Sequence, residues 1–181
     1  MNVNIKRLSP DAQTPTYAHV TDAGFDLVAA EDVIIEPGAT ACVPTGLAFE
    51  IPEGYEMQIR PRSGITLKTK LRVQLGTVDA GYRGEVGVIV DNIAPSGVGI
   101  DYYSIYGCNF EWGAYKIRKG DRLAQAVIKP VEQAVFTEID VLGDSDRGTG
   151  GFGSSGVIAK SYEKANERNG DALERLAKED E

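Results

Sequence analysis

Along the first two-thirds of this 181-residue chain, apolar positions recur in short runs separated by turn chemistry. Tyr55-Glu56-Met57-Gln58-Ile59-Arg60 and Leu71-Arg72-Val73-Gln74-Leu75 alternate strictly, the period of a strand with one buried face. Val33-Ile34-Ile35 is a further apolar run. Val86 to Val90 and Ala126-Val127-Ile128 read as buried on both sides, and Tyr115-Lys116-Ile117-Arg118 alternates again. Between them stand Glu36-Pro37-Gly38, Pro52-Glu53-Gly54, Asp79-Ala80-Gly81 and Lys119-Gly120-Asp121, where Pro presets φ and Gly supplies positive φ. Strands at this spacing, with few helical patterns among them, predict an all-β sandwich or barrel, with a jelly roll preferred.

Two segments break the pattern. Pro95 to Ala114 is rich in Gly and aromatics, with Tyr102, Tyr103, Tyr106, Phe110 and the single Trp, Trp112. Downstream of Gly156, the tail Ala159 to Glu181 is charged and helix-prone. Asn169-Gly170 interrupts it, ending one helix and leaving Asp171 to cap the next.

Composition narrows the function. Apolar residues make up 42% and charged residues 25%, ordinary for a globular protein and against wholesale disorder. The net charge of −8 comes without a basic stripe, which argues against a polynucleotide partner while leaving room for one nucleotide held by a few converging cations and a metal. Cys42 and Cys108 form no CxxC pair, and His19 is the only histidine, so neither a disulfide framework nor a Cys/His zinc site is expected. The opening MNVNIKRLSPDAQTP lacks the apolar core of a signal peptide, and no run approaches membrane-spanning length. A soluble, cytoplasmic protein is expected.

Five segments concentrate Gly, Asp, Arg and Ser beyond what a plain sandwich requires. In Ala23-Gly24-Phe25-Asp26-Leu27, Asp26 is either a hydrogen-bonded turn residue or a metal-site carboxylate. In Arg60-Pro61-Arg62-Ser63-Gly64, Pro61 halts a strand, and Ser63 and Gly64 offer N–H groups and a hydroxyl to an anion beside Arg62. Gly76 to Glu85 reads as a β-hairpin with Asp79 at the strand end, where a carboxylate either takes a proton from water or caps its own turn. Tyr82 in that turn either stacks on a sugar or base or covers the core edge. Gln125, in Gly120-Asp121-Arg122-Leu123-Ala124-Gln125, is an amide in an apolar run and needs a partner, from the core or from a ligand. Arg147-Gly148-Thr149-Gly150-Gly151-Phe152-Gly153-Ser154-Ser155-Gly156 has five glycines in ten residues. Such a run forbids a packed element and permits close backbone approach to a ligand. As a pattern alone it also fits a linker.

In order, AGFDL, PRSG, GTVDAGYRGEVG, GDRLAQ and RGTGGFGSSG resemble the five motifs of the trimeric dUTPase family over roughly Val3 to Gly156. The resemblance implies a jelly-roll homotrimer that hydrolyses dUTP to dUMP and pyrophosphate with Mg²⁺, keeping uracil out of DNA and supplying dUMP for thymidylate synthesis. It implies that Asp79 activates the attacking water and that Tyr82 packs on deoxyribose to exclude a 2′-hydroxyl. The hairpin backbone from Asp79 to about Val88 would pair with uracil. Arg62, Ser63, Gly64 and Gln125 would bind phosphates, and Asp26 would meet Mg²⁺ through water. Arg147 would reach the γ-phosphate, Phe152 would stack over uracil, and Gly153, Ser154 and Ser155 would close the lid. The implied organisation is a β domain over 1–146 with an insert at 95–114, a glycine-rich mobile arm over 147–156, and a helical tail over 157–181.

The chain departs from the family pattern at the insert and at the tail. The insert is either a surface for a regulatory protein, as in some phage-encoded members, or an elaborated hairpin whose aromatics form a small satellite core. Two rival functions remain at this stage. A dCTP deaminase would need a catalytic Glu in the third segment and Arg-Ser-Ser in the second, whereas here Gly64 follows Ser63 and Asp79 occupies the third. A regulatory nucleotide-gated binder is the alternative from outside enzymology.

Overall fold

The computed structural model describes residues 1–95, 113–152 and 154. Its elements are β1 (Asn4–Arg7), β2 (Phe25–Val28), β3 (Val33–Ile35), β4 (Thr40–Pro44), β5 (Leu47–Glu50), β6 (Tyr55–Pro61), α1 (Ser63–Lys68), β7 (Leu71–Val73), β8 (Gly76–Asp79), β9 (Gly87–Asn92), β10 (Tyr115–Ile117) and β11 (Arg122–Pro130). A four-stranded sheet runs β2-β11-β6-β8 and a three-stranded sheet β4-β9-β7, with two ribbons, β1-β5 and β3-β10. All seven pairings are antiparallel. The sheets stay open, and their inner faces meet in one apolar cluster. Phe25, Leu27, Met57, Ile59, Ala124 and Ala126 enter it from the four-stranded sheet, and Val43, Leu71, Val88 and Val90 from the three-stranded one. This is the expected all-β, jelly-roll-like sandwich.

Three local expectations are corrected. Val86 to Val90 is not buried on both sides. Val88 and Val90 face the core, but Ile89 is 48% exposed, because an antiparallel sheet with one covered face alternates. The alternating run from Leu71 stops at Val73, and Leu75 is 68% exposed where the chain leaves β7 for β8. The segment Gly76 to Glu85 is not a paired hairpin. β8 pairs with β6, while β9 pairs with β4 and β7, so the two arms enter different sheets. The short helix α1 was not anticipated, since six residues are too few to show a period.

Asn92, which is 1% exposed, ties together the chain on either side of positions 96–112. Its Nδ2 donates to Ile35 O at 2.9 Å and to Gly113 O at 2.8 Å, and its Oδ1 accepts from Ala94 N at 3.0 Å. Positions 96–112, expected from the sequence to belong to an insert, and the tail expected to be helical lie outside the described residues.

The chain divides into two compact units, Met1–Ala134 and a second beginning at Val135. The described part of the second unit has no strand or helix. From Ser145 it makes a series of turns, closed by Gly148 N to Ser145 O, Gly150 N to Arg147 O and Ser154 N to Gly151 O. Val135, Phe136, Val141 and Leu142 in it are all at least 80% exposed. Among the described residues, no helix is long and apolar enough to cross a membrane.

Candidate functional site

Strand register assembles the polar residues. Asp26 of β2 stands opposite Gln125 of β11, which stands opposite Arg60 of β6. Residues opposite one another share a face, so these three form a row on the outer side of the sheet whose inner side is apolar. Beyond Arg60 the strand ends at Pro61, and Arg62 caps α1 in an extended conformation. The row and the helix border a cleft of about 860 Å³. Its walls include Gly24, Asp26, Arg60, Arg62, Ser63, Gly64, Lys68, Arg122 and Gln125, with His19 and Asp22 at one side.

The cleft is cationic within an acidic chain. Asp26 is held at both oxygens, with Arg62 Nε 2.9 Å from Oδ1 and Arg122 Nη1 3.2 Å from Oδ2. Arg62 Nη1 also donates to Arg122 O at 2.8 Å, and Gln125 Nε2 donates to Pro61 O at 3.2 Å. Gln125 is therefore a half-buried amide on the cleft side and not a core amide. The first turn of α1 has no side-chain cap and no acidic residue, so its leading N–H groups are not neutralised by the protein. Gly24 lets β2 approach β11, since a Cβ there would lie 3.0 Å from Ala126 O.

Asp79 and Tyr82 do not line this cleft. Asp79 ends β8 opposite Glu56, near the start of β6, whereas Arg62 follows the end of β6. Six residues of strand at about 3.3 Å each put the two positions roughly 20 Å apart in one chain. The turn after Asp79 is closed by Tyr82 N to Asp79 O at 3.0 Å, and by the Tyr82 hydroxyl donating to Glu85 O at 2.9 Å. The Tyr82 ring lies over Gly84, where a Cβ would come within 2.6 Å of Tyr82 Cζ. Tyr82 itself is 47% exposed.

In the second unit, Arg147 Nε donates to Gly150 O at 2.7 Å. Phe152 is fully exposed at φ 44°, in the left-handed region. Ser154 is described and exposed. Gly153 and Ser155 lie outside the described residues.

The structure thus brings Asp26, Arg62, Ser63, Gly64 and Gln125, expected from separate segments of the sequence, to the walls of one cleft. The sequence reading missed Arg60, Lys68, Arg122, His19 and Asp22, which share the walls. Arg60 is bound through Nε and Nη2 to Gln58 Oε1, and Gln58 Nε2 reaches Glu56 Oε1, so that face of β6 carries a polar ladder. Strict alternation of polar and apolar residues along β6 was the signal for Arg60. None marked Lys68, on a helix too short to show a period.

The dUTPase family model matches residues 10–156. The deoxyuridine 5′-triphosphate nucleotidohydrolase of Thermobifida fusca (strain YX) is 46% identical over 167 residues, 91% of this chain and 84% of its own. That of Clostridium tetani (strain Massachusetts / E88) is 45% identical over 156 residues, 85% of this chain and 96% of its own. Among solved structures, the dUTPase of Staphylococcus bacteriophage 80alpha with dUPNHPP superposes with a TM-score of 0.80 at 38% identity, covering 86% of this chain and 99% of the other. That phage enzyme is described as controlling transfer of virulence genes by a G protein-like mechanism. The dUTPase from phage phi11 of S. aureus, solved to visualise a species-specific insert, gives 0.73 at 34% identity over 78% of this chain and 98% of that one. A mutant of it reveals the coordination of a structural Mg(II) ion.

Proposed function

The chain belongs to the dUTPase family and hydrolyses dUTP to dUMP, and from that premise we propose that its active sites are shared between copies of a homotrimer, with Asp79 as general base. The observation that carries this is the separation of Asp79 from the cleft. A general base must lie within hydrogen-bond reach of its water, directly or through one bridging water. A base roughly 20 Å from the phosphate-binding residues, by strand length, cannot serve the same substrate in one chain. A second copy can bring its Asp79 turn to the cleft of the first. Such a head-to-tail contact uses two different surfaces and closes into a ring, and a three-membered ring satisfies every site. The exposed Val135, Phe136, Val141 and Leu142 support this reading, because apolar residues on an extended segment are suited to cover on a neighbour.

Within such a site, Arg62, Gln125 and the uncapped N–H groups of Ser63 and Gly64 bind the phosphates. Positive charge and oriented dipoles there oppose the repulsion between an anionic triphosphate and its nucleophile. Asp79 takes the proton of a water aligned on the α-phosphorus, and pyrophosphate leaves. Fixing the water in line removes an entropic barrier. Tyr82 packs against deoxyribose and leaves no room for a 2′-hydroxyl. The backbone of the following turn, to about Val88, pairs with the uracil edge. Arg147, Phe152, Gly153, Ser154 and Ser155 belong to a closing arm over 147–156, distinct from a β domain over 1–146 and a tail over 157–181.

Mg²⁺ fits the donor set. Among the described residues no cluster of three His, Cys, Asp or Glu exists to cage an ion. A single carboxylate beside a triphosphate is nonetheless how Mg²⁺ is commonly held, with waters completing the shell. Asp26 gives one lone-pair direction on each oxygen to an arginine, which leaves acceptor capacity for ion-bound water. When bound, Mg²⁺ would offset phosphate charge.

The decisive experiment is turnover of dUTP, UTP, dTTP and dCTP, with pyrophosphate and ammonia both assayed, with and without Mg²⁺. Pyrophosphate from dUTP alone, dependent on Mg²⁺, is expected. Ammonia from dCTP would assign the chain to the deaminases.

A second role for 95–114, contact with a regulatory protein, is supported by the described role of the 80alpha enzyme and by the insert of the phi11 enzyme. A cytoplasmic setting fits a nucleotide-pool enzyme.

A further inference from the structure

Arg122 reaches the cleft only because β11 is irregular. In a regular strand Arg122 would share a face with Ala124 and Ala126, which are fully buried, and would point into the core. The ladder to β2 instead pairs Arg122 with Val28 and Ala124 with Leu27, so Arg122 and Leu123 together oppose one residue. That β-bulge turns Arg122 onto the face of Asp26 and leaves Leu123, 1% exposed, to fill the core. Bulges gather beside active sites because they re-aim a side chain in this way. The guanidinium so delivered is 58% exposed and touches Asp26 through Nη1 alone. Its other N–H groups have no partner among the described residues.

Resting on the dUTP reading above, we propose that Arg122 is a further substrate-binding residue, parked on Asp26 in the free enzyme and donating to the phosphate chain of bound nucleotide. Arg62 is already committed to Asp26 and to the Arg122 carbonyl, so its remaining capacity for phosphate is limited. Arg122 supplies the second cation that a triphosphate, unlike a monophosphate, needs.

The test is calorimetric titration of the full-length protein with α,β-imido-dUTP, with dUMP measured by competition. Arg122→Ala is expected to lose on the order of tenfold to a hundredfold in affinity for the imido analogue, the scale of a charge-assisted hydrogen bond. Its dUMP affinity and melting temperature should be unchanged, and Arg122→Lys should restore part of the loss. The loss should persist in an Asp26→Asn background. Wild-type affinity in Arg122→Ala would overturn the inference while leaving the dUTP reading intact. So would a loss that vanishes in the Asp26→Asn background, because Arg122 would then act only through Asp26. Should Arg122→Ala fold poorly, Arg122→Lys decides alone: a loss specific to the imido analogue supports direct contact, and none refutes it. Failure of the wild-type protein to bind the analogue would bring down both readings.

Discussion

Asp79 and Arg62 stand at opposite ends of β6, the first held against Glu56 by the β6–β8 ladder and the second just past Pro61. Asp79 is fixed by strand pairing and Arg62 by its place between Pro61 and the first turn of α1, and no side-chain rotation spans the length of β6 between them. The consequence is testable by mixing two inactive proteins. Asp79→Asn and Arg62→Ala, each inactive alone, should regain about a quarter of wild-type turnover after random subunit exchange, because a site then needs one intact residue from each of two copies. Steady-state dUTP hydrolysis before and after exchange reads this out. A mixture that stays silent after verified exchange would place both residues in one chain's site.

Asp79→Asn by itself should lower kcat by roughly 10²–10⁴, the contribution of a positioned general base. The amide keeps the size of the carboxylate, so affinity for α,β-imido-dUTP should persist. A variant that turns over normally would remove Asp79 from the chemistry.

Residues governed by period two were legible in the sequence. Met57 and Ile59 alternate with Glu56, Gln58 and Arg60, and β6 lies where that pattern predicts. Asp26, Arg62 and Gln125 were identified as separate candidates, but their meeting depends on the register of β2, β11 and β6, which no local pattern encodes. Ile89 was misread because its side chain is apolar on an outer face, and composition does not distinguish the two faces of a strand. Arg122 was missed for a different reason. One extra residue in β11 reverses its direction, and alternation alone would have buried it.

Asn92 marks where the insert can be separated from the fold. Its amide donates to Ile35 O and Gly113 O, so Asn92→Ala would strip two carbonyls of their donor in a buried setting. A loss of about 2–4 kcal/mol is expected in chemical denaturation. Replacing 96–112 by a short linker that keeps this clasp should preserve turnover. Collapse of turnover and assembly on that replacement would make the insert structural instead of a partner surface.

Asp32 gives a pH prediction. The Lys116 ammonium, 2.5 Å from Asp32 Oδ2, and then the Lys119 backbone N–H hold its carboxyl below the ordinary aspartate value. A depressed folded-state pKa means that the carboxylate's contribution is complete above the unfolded value, about 3.9, and is lost as pH falls through the folded one. Carbon-13 NMR of the side-chain carboxyl should show Asp32 titrating below that value. Lys116→Met should move the midpoint upward, though not fully, since the Lys119 N–H remains.

Gly84 is where sugar selectivity can be separated from stability. A methyl group there would meet the Tyr82 ring, with Cζ at 2.6 Å and Cε2 at 3.0 Å, and a single hydrogen bond to the Glu85 carbonyl tethers that ring. Tyr82 is half exposed, so it can swing away at small cost and give up its hydrogen bond to Glu85 O. Gly84→Ala should therefore melt close to the wild type while Tyr82 no longer covers the deoxyribose position. The ratio of kcat/KM for dUTP over UTP should fall by at least about tenfold, the scale on which a pocket loses steric discrimination. Tyr82→Ala should show the same fall, and the double variant should show no further one, because both changes remove a single obstacle. An undiminished ratio in Gly84→Ala would mean that the ring does not exclude the 2′-hydroxyl, and that the sugar is selected elsewhere.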